Sequence, residues 1–336
     1  MTIKVAINGF GRIGRLVYRA LLESGRTDMQ LIAINDLADS KTNAHLLKYD
    51  SVHGVSTADI SASGSDIVVN GHTIKAFQER DPAALPWGDL DIDIVFECSG
   101  IFTSRETAGK HLQAGAKKVL ISAPASGEDL TVVYGVNSDD LTAAHKLVSN
   151  ASCTTNCLAP FAHAIHNAIG IETGFMTTIH AYTGDQRTVD TMHSDLHRAR
   201  AAAVNMIPTS TGAAKAVGKV LPALNGKLDG VAIRVPTPNV SLVDLTFTAS
   251  RDTTVEEINA AVSAAAHGPL KGVLDVYDLP LVSTDFNHNP HSSIFSLAGT
   301  RVMDGNFVRV MSWYDNEWGF SNRMLDTAAK MNEVGY

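Results

Sequence analysis

Up to Ser149, short β-branched runs alternate with amphipathic stretches, the order expected of βαβ units around a parallel sheet. Ile3 to Asn8 reads as a first strand and Met29 to Asn35 as a second. Between them Arg12 to Glu23 sets Ile13, Leu16, Val17, Ala20 and Leu21 on one helical face. Further strands are predicted at Ile67 to Val69, Ile94 to Glu97, Lys118 to Ser122 and Leu147 to Ser149. After Cys153 the texture changes. A helix through Gly170 is followed by longer alternating strands at Gly174 to Tyr182, Gly230 to Val235 and Ser241 to Ala249, which antiparallel pairing fits better. Thr183 to Met206 carries charge and few strand formers, and a stretch of that length is expected to be functional or interface-forming. The last strand, Phe307 to Tyr314, leads into an apolar-faced helix from about Glu317 to Lys330.

The first helix opens on a glycine-rich turn. Gly9-Phe10-Gly11-Arg12-Ile13-Gly14 follows the first strand directly, and glycines so placed permit a tight turn and close approach of backbone N–H groups to a pyrophosphate. The helix N-terminus adds its partial positive charge. By itself this spacing also describes an ordinary glycine-rich turn. The second strand, however, ends at Asn35-Asp36, 22 residues beyond Gly14. An acidic side chain there accepts hydrogen bonds from the adenosine ribose hydroxyls and repels a 2′-phosphate. The combination predicts a dinucleotide site with NAD favoured over NADP.

A chain of 336 residues exceeds one ordinary core and is expected to form two domains. The first, at residues 1–149, is an α/β, Rossmann-type dinucleotide-binding domain; the second, at 150–315, is an α+β catalytic domain with a mainly antiparallel sheet. The charge balance, 27 basic against 35 acidic residues with no like-charge run, gives no support to a dedicated nucleic-acid surface. Apolar runs are strand-sized, so no membrane span is expected. The first residues run straight into a strand with no signal-peptide pattern, and three cysteines are too few for a disulfide framework. A cytoplasmic location is the expectation. No metal site is expected.

Ser152-Cys153-Thr154-Thr155-Asn156-Cys157 stands where a turn enters an apolar helix. In the first helical turn the orphan N–H groups and the helix dipole favour a thiolate at Cys153. The alternative for a free cysteine is a small buried apolar residue, and this reading suits Cys157, one turn further on. A nucleophile needs a base, and the chain has 13 histidines. His180 is distinguished by position, since it ends the strand run Phe175-Met176-Thr177-Thr178-Ile179 and precedes a polar loop.

Ala151-Ser152-Cys153-Thr154-Thr155-Asn156-Cys157-Leu158 resembles the active-site signature of glyceraldehyde-3-phosphate dehydrogenases, and the resemblance extends over essentially the whole chain. Asn8 to Arg15, Thr178 to Thr183, Ser210 to Lys215, Arg234 to Asn239 and Trp313 to Gly319 are similar to the family's blocks in the family's order. The resemblance implies that Cys153 is the nucleophile and His180 its activator and acid/base. It implies cofactor contacts from Gly9, Gly11, Arg12, Ile13, Gly14, Asp36, Arg80, Ser122 and Asn316, with a C-terminal helix, residues 316–336, packing back on the first domain. Substrate and inorganic phosphate contacts are implied for Ser152, Thr154, Thr183, Arg198, Thr211, Gly212 and Arg234, whose hydroxyls, N–H groups and guanidinium forks suit anions. The implied reaction turns glyceraldehyde 3-phosphate into 1,3-bisphosphoglycerate, a step of glycolysis and gluconeogenesis, in a homotetramer with the Thr183 to Met206 stretch at subunit contacts.

Two positions depart from the family's pattern. Phe320 stands where tyrosine is common, and Thr191-Met192 replaces a frequent leucine and proline, so NAD preference rests mainly on Asp36. The enzymatic rival is erythrose-4-phosphate dehydrogenase, against which Thr211-Gly212-Ala213-Ala214 argues. A nucleotide-binding or adhesion protein that kept the fold and lost the chemistry is the rival from another class, and an intact Cys153 and His180 argue against it.

Overall fold

The computed structural model describes residues 2–336, and these fall into two compact units. The first runs up to Tyr134 and adds Ser138–Ala151 and Ser321–Tyr336; the second comprises Gly135–Asn137 and Ser152–Phe320.

In the first unit, β1 (Ile3–Asn8), α1 (Arg12–Glu23) and β2 (Met29–Asn35) are followed by β3 (His72–Phe77), β4 (Ile94–Glu97), β5 (Lys118–Ile121) and β6 (Leu147–Ser149). All six strands run parallel, in the spatial order β3-β2-β1-β4-β5-β6. This is the doubly wound nucleotide-binding order, with its switch point between β1 and β4. The central strands are mostly apolar because both faces are covered: every residue of β4 and β5 is buried. The predicted strand at Ile67 to Val69 is not one of the six. It lies in Asp66–Val69, which forms a hairpin with β3 through Asn70 and Gly71, at φ +49° and +80°. Two consecutive positive φ values are what a two-residue hairpin turn requires, and asparagine with glycine supplies them at low strain. From Ser321 onward the C-terminal helix α4 (Trp318–Glu333) belongs to this unit. There Lys118 Nζ donates to the Met331 carbonyl at 3.0 Å and Thr327 Oγ1 to Asn150 Oδ1 at 2.8 Å.

The second unit is built on an eight-stranded mixed sheet. It contains α2 (Cys153–Ile169), β7 (Thr173–Ala181), β8 (Ile207–Ser210), α3 (Ala213–Val220), β9 (Leu228–Val235), β10 (Ser241–Thr248) and β11 (Phe307–Tyr314). β10 alternates buried and half-buried residues along its whole length, as a sheet covered on one face does. β10 pairs antiparallel with β7 and β11, but β7 and β9 run parallel, contrary to the antiparallel expectation for them. The chain between those two strands passes through the 183–206 stretch, β8 and α3. A connection of that length carries it back to the end where β7 began. No helix among the described residues is long and apolar enough to cross a membrane.

Candidate active site

A cavity of about 460 Å³ opens in the first unit at the switch point. Gly9, Gly11, Asp36 and Arg80 line it, together with Asn8, Asn35 and Ser99. The three glycines of the turn serve different ends. Gly9 has φ +86°, and a Cβ there would stand 2.4 Å from the Ser99 nitrogen; a Cβ on Gly14 would stand 2.2 Å from the Gly9 carbonyl oxygen. Packing within the protein requires both. Nothing lies within 4 Å of a Cβ on Gly11, which is the N-cap of α1 and supplies no side-chain cap bond. The space in front of that helix end suits an anionic group. Gly11→Ala is therefore expected to cost the fold no more than roughly 1 kcal/mol while weakening NAD binding by about tenfold or more through the methyl group in the phosphate's place. Thermal melting and an NAD titration of the same protein check both halves.

Asp36 is held by two backbone donors, Phe10 N–H to one carboxylate oxygen at 2.8 Å and Ala38 N–H to the other at 2.9 Å. Each oxygen keeps acceptor capacity for a hydroxyl. The Arg12 guanidinium turns away to Asp50 at 2.5 Å. Burial raises the Asp50 carboxyl, but Arg12 and the N–H groups of His53 and Val52 outweigh it and hold the group at about 2. What Arg12 and Ile13 offer at the turn is thus helix N-terminal backbone. Ser122 follows β5, bonded through its N–H to the Glu97 carbonyl at 2.9 Å and through its side chain to Cys98.

In the second unit Cys153 is the first residue of α2, and its Sγ lies 3.6 Å from His180 Nε2. His180 sits near the end of β7, opposite Arg234 in the parallel register with β9. Its Nδ1 lies 2.6 Å from the Ala181 carbonyl oxygen. A carbonyl only accepts, so Nδ1 carries the proton and Nε2 turns a lone pair toward the sulfur. Arg234 Nη1 also lies 3.1 Å from Nδ1, but donor faces donor there. Its hydrogen bonds go to the Ala181 carbonyl and Thr183 Oγ1, at 3.4 Å each.

Burial, helped by the Arg234 charge, pushes His180 down to about 3. Burial also raises the Cys153 thiol, against the pull of Arg234 and of hydrogen bonds from Thr154. The helix terminus alone leads one to expect a lowered thiol pKa; desolvation of the sulfur outweighs that help. Proton transfer from sulfur to imidazole forms two charges 3.6 Å apart, whose attraction amounts to about 5 kcal/mol at an effective dielectric of about 20. That attraction offsets part of what burial costs the two charges, so the titrations of sulfur and imidazole are coupled. Cys157, one turn on, is fully buried, its thiol pushed up to about 12, and it packs against Ser293 and the Ser312 carbonyl.

The surroundings suit anions. Ser152 caps α2, accepting from Thr155 N–H at 3.1 Å, and Thr155 Oγ1 donates to the Ala213 carbonyl at 3.3 Å, so α2 and α3 start side by side. α3 follows Gly212 without a side-chain cap, and Thr211 Oγ1 accepts from Ala213 N–H at 3.2 Å. Both helices thus bring their positive ends to one place. Arg234 Nε is buried and finds no hydrogen-bond partner among the described residues, an orphaned donor that an anion would satisfy. The Arg198 charge is offset by Asp185 at 2.6 Å and Asp195 at 3.5 Å. Asn316 belongs to this unit, its Oδ1 accepting from Ser241 Oγ at 2.8 Å, while Ser241 Oγ accepts from Ala181 N–H at 3.0 Å.

Sequence reasoning does not single out Tyr314. Its hydroxyl lies 2.9 Å from both Thr154 and Thr178, and its ring stands edge-on to His180. The signal is strand alternation, which puts Val308, Val310, Ser312 and Tyr314 on the buried face of β11.

Two family models match the chain. Residues 3–105 match "Glyceraldehyde 3-phosphate dehydrogenase, NAD binding domain" and residues 152–316 match "Glyceraldehyde 3-phosphate dehydrogenase, C-terminal domain". Among similar proteins, glyceraldehyde-3-phosphate dehydrogenase of Xanthobacter flavus is 64% identical over 335 residues, covering 100% of both chains. That of Cereibacter sphaeroides is 64% identical over 334 residues, 99% of this chain and 100% of its own. Glyceraldehyde-3-phosphate dehydrogenase 1 of Bacillus subtilis is 56% identical over 336 residues, 100% of both.

Proposed function

The chain belongs to the glyceraldehyde-3-phosphate dehydrogenase family, an NAD-dependent oxidoreductase family, and from that premise we propose that it converts glyceraldehyde 3-phosphate and inorganic phosphate to 1,3-bisphosphoglycerate through a thioester on Cys153. The observation that carries this reading is Cys153 Sγ at 3.6 Å from an imidazole whose tautomer the Ala181 carbonyl dictates. Cys153 Sγ adds to the aldehyde carbon as His180 Nε2 takes the thiol proton. The same nitrogen returns the proton to the alkoxide so formed, giving the thiohemiacetal hydroxyl, and withdraws it again as the C–H hydride departs, leaving the thioester. NAD, when bound, supplies the acceptor for that hydride. Phosphate then attacks the thioester carbon and sulfur leaves as thiolate.

Gly9, Gly11, Arg12, Ile13, Gly14, Asp36, Arg80, Ser122 and Asn316 would hold the cofactor. Ser152, Thr154, Thr183, Arg198, Thr211, Gly212 and Arg234 would hold the substrate phosphate and the attacking phosphate. The enclosed Arg234 Nε supports the second assignment, since a buried donor without an acceptor destabilises the chain until an anion arrives. A cytoplasmic homotetramer is part of the same reading. Val189, Met192, Leu196, Val204 and Met206 are 68% to 89% exposed within one stretch of chain, and so many exposed apolar side chains in one segment suit a subunit interface. No observation favours erythrose-4-phosphate dehydrogenase.

Steady-state assays test the proposal. NADH formation from glyceraldehyde 3-phosphate is expected to need inorganic phosphate for turnover beyond one equivalent per chain, and erythrose 4-phosphate is expected to be the poorer substrate. Turnover at the same rate without phosphate would remove the acyl-phosphate step.

A further inference from the structure

Beside the cofactor cavity lies a buried polar cluster that the proposed chemistry does not use. Glu97, 1% exposed, ends β4, while Asn8 ends β1, Asn35 ends β2, and Glu79 with Arg80 follows β3. These are four neighbouring strands. Their hydrogen bonds have a direction imposed by the backbone. Glu79 N–H donates to Asn35 Oδ1 at 2.8 Å, and Asn35 Nδ2 donates to the Glu79 carbonyl at 2.8 Å. Because a backbone N–H only donates and a carbonyl only accepts, the Asn35 amide has one orientation. Its remaining hydrogen goes to Asn8 Oδ1 at 2.7 Å, which orients Asn8, and Asn8 Nδ2 donates to Glu97 Oε2 at 2.6 Å.

A second chain arrives from the other side. Trp87 Nε1, a donor only, meets His111 Nδ1 at 2.9 Å, so the His111 proton is on Nε2, which donates to Glu97 Oε2 at 2.9 Å. The Ser99 N–H and hydroxyl meet Oε1 at 2.8 and 2.5 Å. Both chains end on Oε2 and the Ser99 donors end on Oε1, so the group at position 97 must accept at both oxygens.

We propose that Glu97 is a positioning residue for dinucleotide binding. It closes a directed relay that sets the strand ends bearing Asn8, Asn35, Ser99 and Arg80 around the cavity, while Glu97, His111 and Trp87 themselves stay out of it. Ser99 is also the residue against which Gly9 is packed, so the phosphate-binding turn is seated on one end of the relay. The proposal rests on the reading of this cavity as the NAD site.

Glu97→Gln keeps the shape and replaces one acceptor by a donor. Whichever way the new amide turns, its NH₂ faces either the Ser99 N–H or the Asn8 and His111 donors. Calorimetric titration of the full-length protein with NAD is expected to show about a tenfold loss of affinity, the equivalent of one buried donor left without a partner. The kcat at saturating NAD is expected to fall by less than about twofold, because the reacting groups lie elsewhere. Glu97→Asp, which keeps two acceptors, is expected to recover part of the affinity. If Glu97→Gln does not accumulate as folded protein, His111→Leu removes one donor from outside the cavity and is expected to weaken NAD about threefold. Folded Glu97→Gln binding NAD as tightly as the unaltered chain would overturn the proposal, as would wild-type affinity in His111→Leu. An unaltered chain that does not bind NAD at all would instead remove the assignment of the cavity, and the relay's purpose with it.

Discussion

Replacing Cys153 by serine is expected to lower kcat by at least about a thousandfold. Serine is nearly isosteric, so the Ser152 cap on Thr155 and the Thr154 contacts persist and the fold is expected to melt as before. What changes is the nucleophile. A hydroxyl holds its proton far more tightly than a thiol, and His180, held down to about 3 by burial and the Arg234 charge, is too weak a base to remove it in a ground-state equilibrium. A serine ester would also retain less of the reactivity that phosphate needs in the second half of the reaction. Affinity for NAD is expected to stay within about twofold, since serine is nearly isosteric and Gly9, Gly11 and Asp36 are unchanged. Steady-state kinetics with a parallel NAD titration checks both, and undiminished turnover would end the assignment.

His180→Asn is expected to cost between about a hundredfold and ten-thousandfold in kcat, the usual worth of a positioned general base. Asparagine can still donate to the Ala181 carbonyl in place of Nδ1, but nothing replaces Nε2 beside the sulfur. The pH dependence carries the sharper sign. Sulfur and imidazole 3.6 Å apart titrate as a pair, so alkylation of Cys153 followed against pH is expected to show two steps in the unaltered protein. Burial raises the thiol, and without His180 no imidazolium forms beside the sulfur to offset it. The variant is therefore expected to show a single step at higher pH than the first step of the unaltered chain. Coincident profiles would show that His180 does not take the proton.

Much of the fold is legible in the chain because its strongest signals are local. Ile3–Asn8, Arg12–Glu23, Met29–Asn35, Ile94–Glu97, Leu147–Ser149 and Phe307–Tyr314 begin and end where apolar periodicity begins and ends. β3 is harder to see, since only Ile74 in it is buried, although Asn70-Gly71 announces a hairpin. The parallel pairing of β7 with β9 is not legible at all. Alternation says which face of a strand is buried and nothing about which distant strand lies beside it. The juxtaposition of His180 and Arg234 depends on that register, so the cation beside the imidazole becomes evident only in the fold. The same holds for Glu97. Asn8, Asn35 and Glu97 each read as one polar residue ending an apolar strand, and only the order β2-β1-β4 makes them a line.

The thioester itself is the most direct test. Protein mixed with glyceraldehyde 3-phosphate and NAD in the absence of inorganic phosphate, quenched in acid and weighed intact, is expected to carry one 3-phosphoglyceryl group per chain. The group is expected to map to Cys153 and to form with a burst of one NADH. NADH formation with no acyl group on that sulfur would contradict the account.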